Sequence, residues 1–196
     1  MKRSLLGVAG LVSLAAACGC SSGMPDQVPS PAPTLVVSPA VSAKGTTSAP
    51  AATGDAAEGA DAADGAVRAY RAMWADMVEA GTTADYRATR LGDHATSQAW
   101  QLLYGGLMSA HDDGVVLRGE PTFTPRVTGL TPADHPVAVS IVDCMDSTRW
   151  REYSAATGSL RDDKPGGKHH ATATVGLLQG AWKVTQLHVD GVGTCT

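Results

Sequence analysis

Ala171-Thr172-Ala173-Thr174-Val175-Gly176-Leu177-Leu178-Gln179-Gly180-Ala181-Trp182-Lys183-Val184-Thr185-Gln186-Leu187-His188-Val189 is the stretch that decides the fold. Its two halves are rich in β-branched residues and flank Gln179-Gly180, a two-residue link in which glycine allows positive φ. A hairpin of strands 171–178 and 182–189 is therefore predicted. Upstream, the same character recurs in Val115-Val116-Leu117, in Thr122 to Thr128 and in Val137 to Cys144. Pro121, Pro125, Pro132 and Pro136 lack amide donors, so the first strands should be broken, bulged or at an edge. Before Gly114 the period is helical. Val67, Tyr70, Trp74, Met77 and Val78 predict a helix from about Asp64 to Gly81, with Arg68, Arg71, Asp76 and Glu79 facing away. Ala99, Leu102, Leu103, Leu107 and Ala110 predict another, capped by Asp93 or Thr96 and closed by Gly114, with a helical turn at Ala84 to Leu91 between the two. Gly105-Gly106 inside that helix costs about 1 kcal/mol per glycine relative to alanine, which predicts a kink or a close backbone contact. Helices first and an antiparallel sheet afterwards make an α+β domain with the helices on one face of the sheet.

The chain has 196 residues, room for one domain and appendages. At the N-terminus, Lys2 and Arg3 precede an apolar stretch from Leu5 to Ala17, the layout of a secretory signal and too short to span a bilayer. Leu14-Ala15-Ala16-Ala17-Cys18 resembles the lipobox of bacterial lipoproteins, in which the cysteine thiol receives diacylglycerol and becomes the mature N-terminus. The pattern prefers leucine three positions before the cysteine, and Leu14 stands four before Cys18; Cys20 is the alternative, with Cys18 favoured. Acyl chains contribute about 0.8 kcal/mol per buried methylene, and a lipoprotein carries at least two, so attachment would be stable. This predicts a lipid-anchored, extracytoplasmic location on the cell membrane. Residues 18–61 read as the lipidated N-terminus and a disordered Pro, Ala, Ser, Thr and Gly tether, as in Pro29-Ser30-Pro31-Ala32-Pro33, with nothing to bury in a core. The expected organisation is a signal peptide at 1–17, this tether at 18–61 and the α+β domain at 62–196.

Tyr70-Arg71 and Trp74, Gly119, Pro125, Asp143-Cys144-Met145-Asp146, Trp150, Trp182-Lys183-Val184 and Cys195 together resemble the pattern of secreted bacterial lipoproteins with a nuclear-transport-factor-2-like domain. The resemblance covers about Ala62 to Thr196. It implies a curved sheet wrapped around helices to form a cone-shaped pocket. That fold hosts isomerases, dehydratases, transport factors and interaction modules, so fold alone settles no function.

With one cysteine lipidated, Cys144 and Cys195 are the thiols of the folded region, and an oxidising compartment predicts a disulfide rather than a metal site or free thiols. Such a bond would pin the last strand to the centre of the sheet. Asp143, Asp146, Ser147 and Arg149 form the densest polar cluster; Asp146 and Ser147 suit a turn after the strand, and Arg149 is expected to pair with either aspartate. In the cone, the acid–base candidates are His188 with Asp190, Tyr70 and Asp85, with Tyr86 and Tyr104 of suitable chemistry. His169-His170 reads as a solvated strand entry. No histidine spacing marks a metal site, and no phosphate loop, dinucleotide fingerprint or nucleophile elbow occurs, so no metal or cofactor is expected. A net charge of −4 with the signs interspersed lacks the basic field that nucleic acid requires. The expected partners are the membrane, through the lipid anchor, and an envelope protein or an apolar ligand. A non-catalytic interaction or accessory module is the leading expectation; a small lyase or isomerase in the cone, or an apolar-ligand carrier, are the alternatives.

Overall fold

A computed structural model of the chain describes residues 52–87, 89–161 and 166–195. The signal sequence, Cys18, Cys20 and the tether up to residue 51 lie outside the described residues. Helices α1 (Ala52–Gly81), α2 (Leu91–His94) and α3 (Ser97–Asp112) come first, followed by strands β1 (Val115–Arg118), β2 (Arg126–Thr131), β3 (Ala138–Asp146), β4 (Arg151–Ser154), β5 (Lys168–Leu178) and β6 (Ala181–Val189). Strands β2-β3-β5-β6 form an antiparallel sheet in that order, and β1 pairs antiparallel with β4 in a separate ribbon. The α+β architecture expected from the change of period is therefore present.

Helix α1 starts at Ala52, a dozen residues before Asp64, so 52–61 is helical and not part of a disordered tether. Alanine explains the difference. It gives no hydrophobic period, yet it has the best helix propensity. The extension also packs: Ala62 is buried, and Gly59 lies where a Cβ would stand 3.3 Å from the Leu130 methyl on β2. From Ala84 to Arg90 the described residues contain no helix; the short helix follows at Leu91–His94, after which Thr96 N–H donates to Val184 O. Helix α3 begins after Thr96 as expected, although the threonine side chain makes no capping bond. Gly114, at φ +64°, closes it.

The hairpin lies where Gln179-Gly180 predicts it, with both turn residues at positive φ (51° and 82°). Strand β2, flanked by the prolines, is an edge strand with a register shift between Val127 and Gly129. Residues alternate along the central strands: Val139, Ile141, Asp143 and Met145 on β3 and Ala171, Ala173 and Val175 on β5 turn into the core, while Ser140, Val142, Thr172 and Thr174 take the other face. Against the inner face pack Tyr70, Met73, Trp74 and Met77 of α1, Leu91 of α2, and Ala99, Leu103 and Leu107 of α3. Leu102, expected inside, is 45% exposed. Each large apolar side chain withdrawn from water contributes about 1.5–3 kcal/mol, so this layer dominates the stability of the domain.

Cys144 on β3 and Cys195 beyond β6 form the expected disulfide, with a Cα–Cα distance of 5.7 Å. It is the tail after β6 that is pinned to β3, with Gly193 N–H donating to Lys168 O (2.8 Å) and Thr194 Oγ1 accepting from His170 N–H (3.0 Å).

Candidate functional site

The deepest polar pair is Tyr70 and Asp143, both essentially buried. Asp143 enters because the alternation of β3 turns position 143 inward, and the residue must then find donors. The Tyr70 hydroxyl donates to its Oδ2 (3.0 Å) and the Thr124 amide to its Oδ1 (2.6 Å). Burial pushes the Tyr70 phenol well above its usual range, and the Asp143 charge adds to that. A phenol held protonated against a carboxylate that already has two donors is a structural lock. Around it the core is filled: Tyr70, Met73, Leu91, Leu107, Ile141 and Leu187 are all at most 2% exposed.

A pocket of about 470 Å³ lies between the C-terminal parts of α1 and α3, the β1–β4 ribbon, the end of β3 and the start of β5. Met77, Met145, Val115, Leu117 and Trp150 give it apolar walls, and Ser147, His169 and Arg151 a polar end. His169 Nδ1–H donates to Asp190 O (2.8 Å), which leaves Nε2 to accept the Ser147 hydroxyl proton (2.8 Å). The pairing has the form of a nucleophile and its base, but the hydroxyl is caged. Gly167 N–H donates to the same oxygen (3.2 Å), and a Cβ at Gly166 would overlap the Ser147 side chain and stand 2.7 Å from its carbonyl oxygen. The pair fastens the β3–β4 turn to the start of β5. His169, read from sequence as a solvated strand entry, is half-buried; only the strand alternation after Lys168 foreshadows its place in the pocket wall.

His188 and Asp190 do come together, with Nε2 donating to Oδ1 at 2.9 Å, and His170 Nδ1 reaches Oδ2 of the same carboxylate at 3.0 Å. They do so outside the cone, where the His188 side chain is 72% exposed. A bulge between β5 and β6 shifts the phase of β6 so that Leu187 faces inward and His188 outward. The bonds from His170, then from His188, hold Asp190 below the usual carboxylate range. Asp85 is also outside, in the exposed turn after α1, where it accepts from Arg87 N–H (3.1 Å). Tyr86 and Tyr104 meet edge to face at 5.3 Å, apart from the Tyr70–Asp143 pair.

In the polar cluster, Asp146 accepts from Thr148 N–H (2.9 Å) and Thr148 Oγ1 (2.5 Å), the turn expected there, and these bonds lower its pKa. Arg149 forms an ion pair with neither Asp143 nor Asp146. Asp76, expected to face away, is buried and accepts from His94 Nδ1–H at 2.6 Å, which ties α1 to α2. Neither Gly105 nor Gly106 makes a close contact; a Cβ would meet nothing within 4 Å at the first and only the Met77 methyl at 4.0 Å at the second.

Among the described residues, no group of three or more His, Cys, Asp or Glu is placed to hold a metal ion, and no helix is long and apolar enough to cross a membrane. No protein family matches the sequence, and neither does any curated protein. Among solved structures, the chain is similar to the intermembrane space region of the chloroplast protein ARC6, at 10% identity and a TM-score of 0.36, over 63% of this chain and 95% of that one. It is also similar to a protein of unknown function with a cystatin-like fold from Nostoc punctiforme, at 8% identity and a TM-score of 0.40, over 64% of this chain and 90% of that one.

Proposed function

We propose that the chain is an extracytoplasmic lipoprotein, anchored to the cell membrane through a diacylglycerol-modified Cys18 or Cys20, whose domain is a non-catalytic interaction or accessory module. The observation that supports the second half is the dispersal of the acid–base candidates. Tyr70 is locked to Asp143 in the core, while Asp85 and the His188–Asp190 pair lie outside the cone. A lyase or isomerase needs such groups converging on one substrate atom, and these do not converge. The first half rests on the n-region, apolar stretch and cysteines of the N-terminus. In detergent-phase partitioning, the full chain should enter the detergent phase, and a Cys18→Ala/Cys20→Ala double variant should leave it. Unchanged partitioning would end the anchor reading, and turnover of a substrate abolished by one pocket substitution would end the non-catalytic one.

The pocket between α1, α3 and the β1–β4 ribbon favours a second reading, a carrier for a small ligand with an apolar body. Native mass spectrometry of the detergent-released chain decides between them. A stoichiometric adduct acquired from lipid extracts would favour the carrier, and bare protein throughout would favour the interaction module.

A further inference from the structure

The pocket between α1, α3 and the β1–β4 ribbon has one wall unlike the others. Helix α3 contributes Gly106, Ser109, Ala110 and Asp113. Their spacing puts them on one face of the helix, and the first three are small. Across from them stand the bulky side chains of Met77, Met145 and Trp150. A glycine inside a helix costs stability relative to alanine, yet packing gives Gly106 no reason to lack a side chain. A Cβ there would meet the Met77 methyl at 4.0 Å, an ordinary contact, and nothing nearer. What the bare backbone supplies is width. A side chain longer than alanine at 106 would project into the pocket or press on Met77. Gly105, one residue earlier, lies outside the pocket lining, and a Cβ on it meets nothing within 4 Å.

We propose that this pocket takes an uncharged, flat apolar molecule that lies against the backbone of α3 at Gly106, and that Gly106 sets the size of ligand admitted. The inference rests on the carrier reading of the pocket and names its ligand class. A volume of about 470 Å³ suits a small organic molecule, since such sites run from about 300 to 1,000 Å³. The smooth α3 wall fits a flat face, and the two methionines opposite can adapt their side chains to its outline. Charge then selects the head. The Ser147 hydroxyl and His169 Nε2 satisfy each other, so that end of the pocket calls for no charged partner. Glu152 pairs with Leu117 across the ribbon and so shares its face, toward the pocket. With Asp113 it sets two carboxylates in the lining against the one guanidinium of Arg151. A carboxylate, sulfonate or phosphate on the ligand would meet like charge there.

The test titrates the detergent-released full chain with N-phenyl-1-naphthylamine, an uncharged flat probe, and with 8-anilinonaphthalene-1-sulfonate, the same ring body carrying a sulfonate. Probe emission is excited through tryptophan, which favours probe bound beside Trp150 over probe dissolved in detergent. The parent should bind the naphthylamine saturably at one site and the sulfonate more weakly. Gly106→Ala should weaken naphthylamine binding roughly tenfold, the effect of one methylene in an apolar pocket, while raising Tm through helix propensity. Gly106→Leu should abolish binding, and Gly105→Ala should raise Tm with binding unchanged. Should Gly106→Leu fail to fold, Gly106→Ala decides. No saturable signal in the parent, binding that survives in both Gly106 variants, an equal loss in Gly105→Ala, or a sulfonate bound as tightly as the naphthylamine would overturn the proposal. Native mass spectrometry after exposure to lipid extracts reads the carrier idea separately. Adducts as abundant on Gly106→Leu as on the parent would remove the role of Gly106 and leave the carrier standing, whereas a parent bare in extracts and silent with the naphthylamine would end both.

Discussion

Asp143 sits between Ile141 and Met145 on the inward face of β3, and a carboxylate there persists only because two donors reach it. Tyr70→Phe removes one of them without changing the packing volume much. The expected loss is about 1–3 kcal/mol, or roughly 3–9 °C in Tm, read by urea and thermal unfolding. Asp143→Ala should cost more, because it orphans both the phenol and the Thr124 amide and leaves a cavity. A Tyr70→Phe variant as stable as the parent would show that the second donor alone suffices. At the surface, Asp190 offers a pH test with the opposite kind of exposure. Its carboxyl is held below the usual 3.8 by His170 and then by His188. A folded value below the unfolded one means that the pairing favours the folded state above the unfolded pKa, and that this contribution is lost as pH falls through the folded pKa. The carboxyl titration followed by NMR should therefore have its midpoint below 3.8, and His170→Ala should raise it more than His188→Ala does.

Two glycines in helices show how far an element can be judged from its own residues. In α1, Gly65 faces the sheet, and a Cβ there would stand 2.6 Å from the Trp182 indole, so Gly65→Ala forces the indole or the helix to move. Overpacking of that kind costs about 1–3 kcal/mol. In α3, a Cβ at Gly105 meets nothing, so Gly105→Ala should stabilise by about 1 kcal/mol, the full difference in helix propensity. Opposite shifts in the urea midpoint are expected, and shifts of the same sign would overturn the assignment of which helix face is crowded. The sequence could not distinguish these glycines, since the same residue is an unused gap in one helix and a contact surface in the other. The same limit governs the rest. The C-terminal half of α1 and the β5–β6 hairpin were legible because periodic apolar residues and Gln179-Gly180 act locally. The Ala-rich start of α1, with no apolar period, was not. Nor was the outward phase of His188, which depends on a bulge, or the place of His169, which depends on partners some twenty residues away.

For the whole molecule, the Cys144–Cys195 bond closes a separation of 51 residues that contains β4, β5 and β6, which are three of the six strands among the described residues. Chain-entropy arithmetic for a loop of that length gives roughly 4 kcal/mol of stabilisation, acting on the unfolded chain. Domains of this size have about 5–15 kcal/mol in all, so the reduced domain should still fold at 25 °C with a Tm lower by about 12 °C. A second, purely local account gives a smaller number. The tail is also held by Gly193 N–H on Lys168 O, by Thr194 Oγ1 on His170 N–H and by Asp190 N–H on His170 O, and these bonds do not need the sulfurs. If the bond merely secures the tail, reduction should release Thr194 and leave the global midpoint nearly unchanged. Urea unfolding of the oxidised chain and of a Cys144→Ala/Cys195→Ala variant separates the two accounts, together with hydrogen exchange at the His170 amide. A midpoint loss worth about 4 kcal/mol, with His170 protected until the domain unfolds, assigns the effect to the unfolded state. A small loss with early exchange at His170 assigns it to the tail, and would mean that the hydrophobic layer between helices and sheet holds the fold without the cross-link.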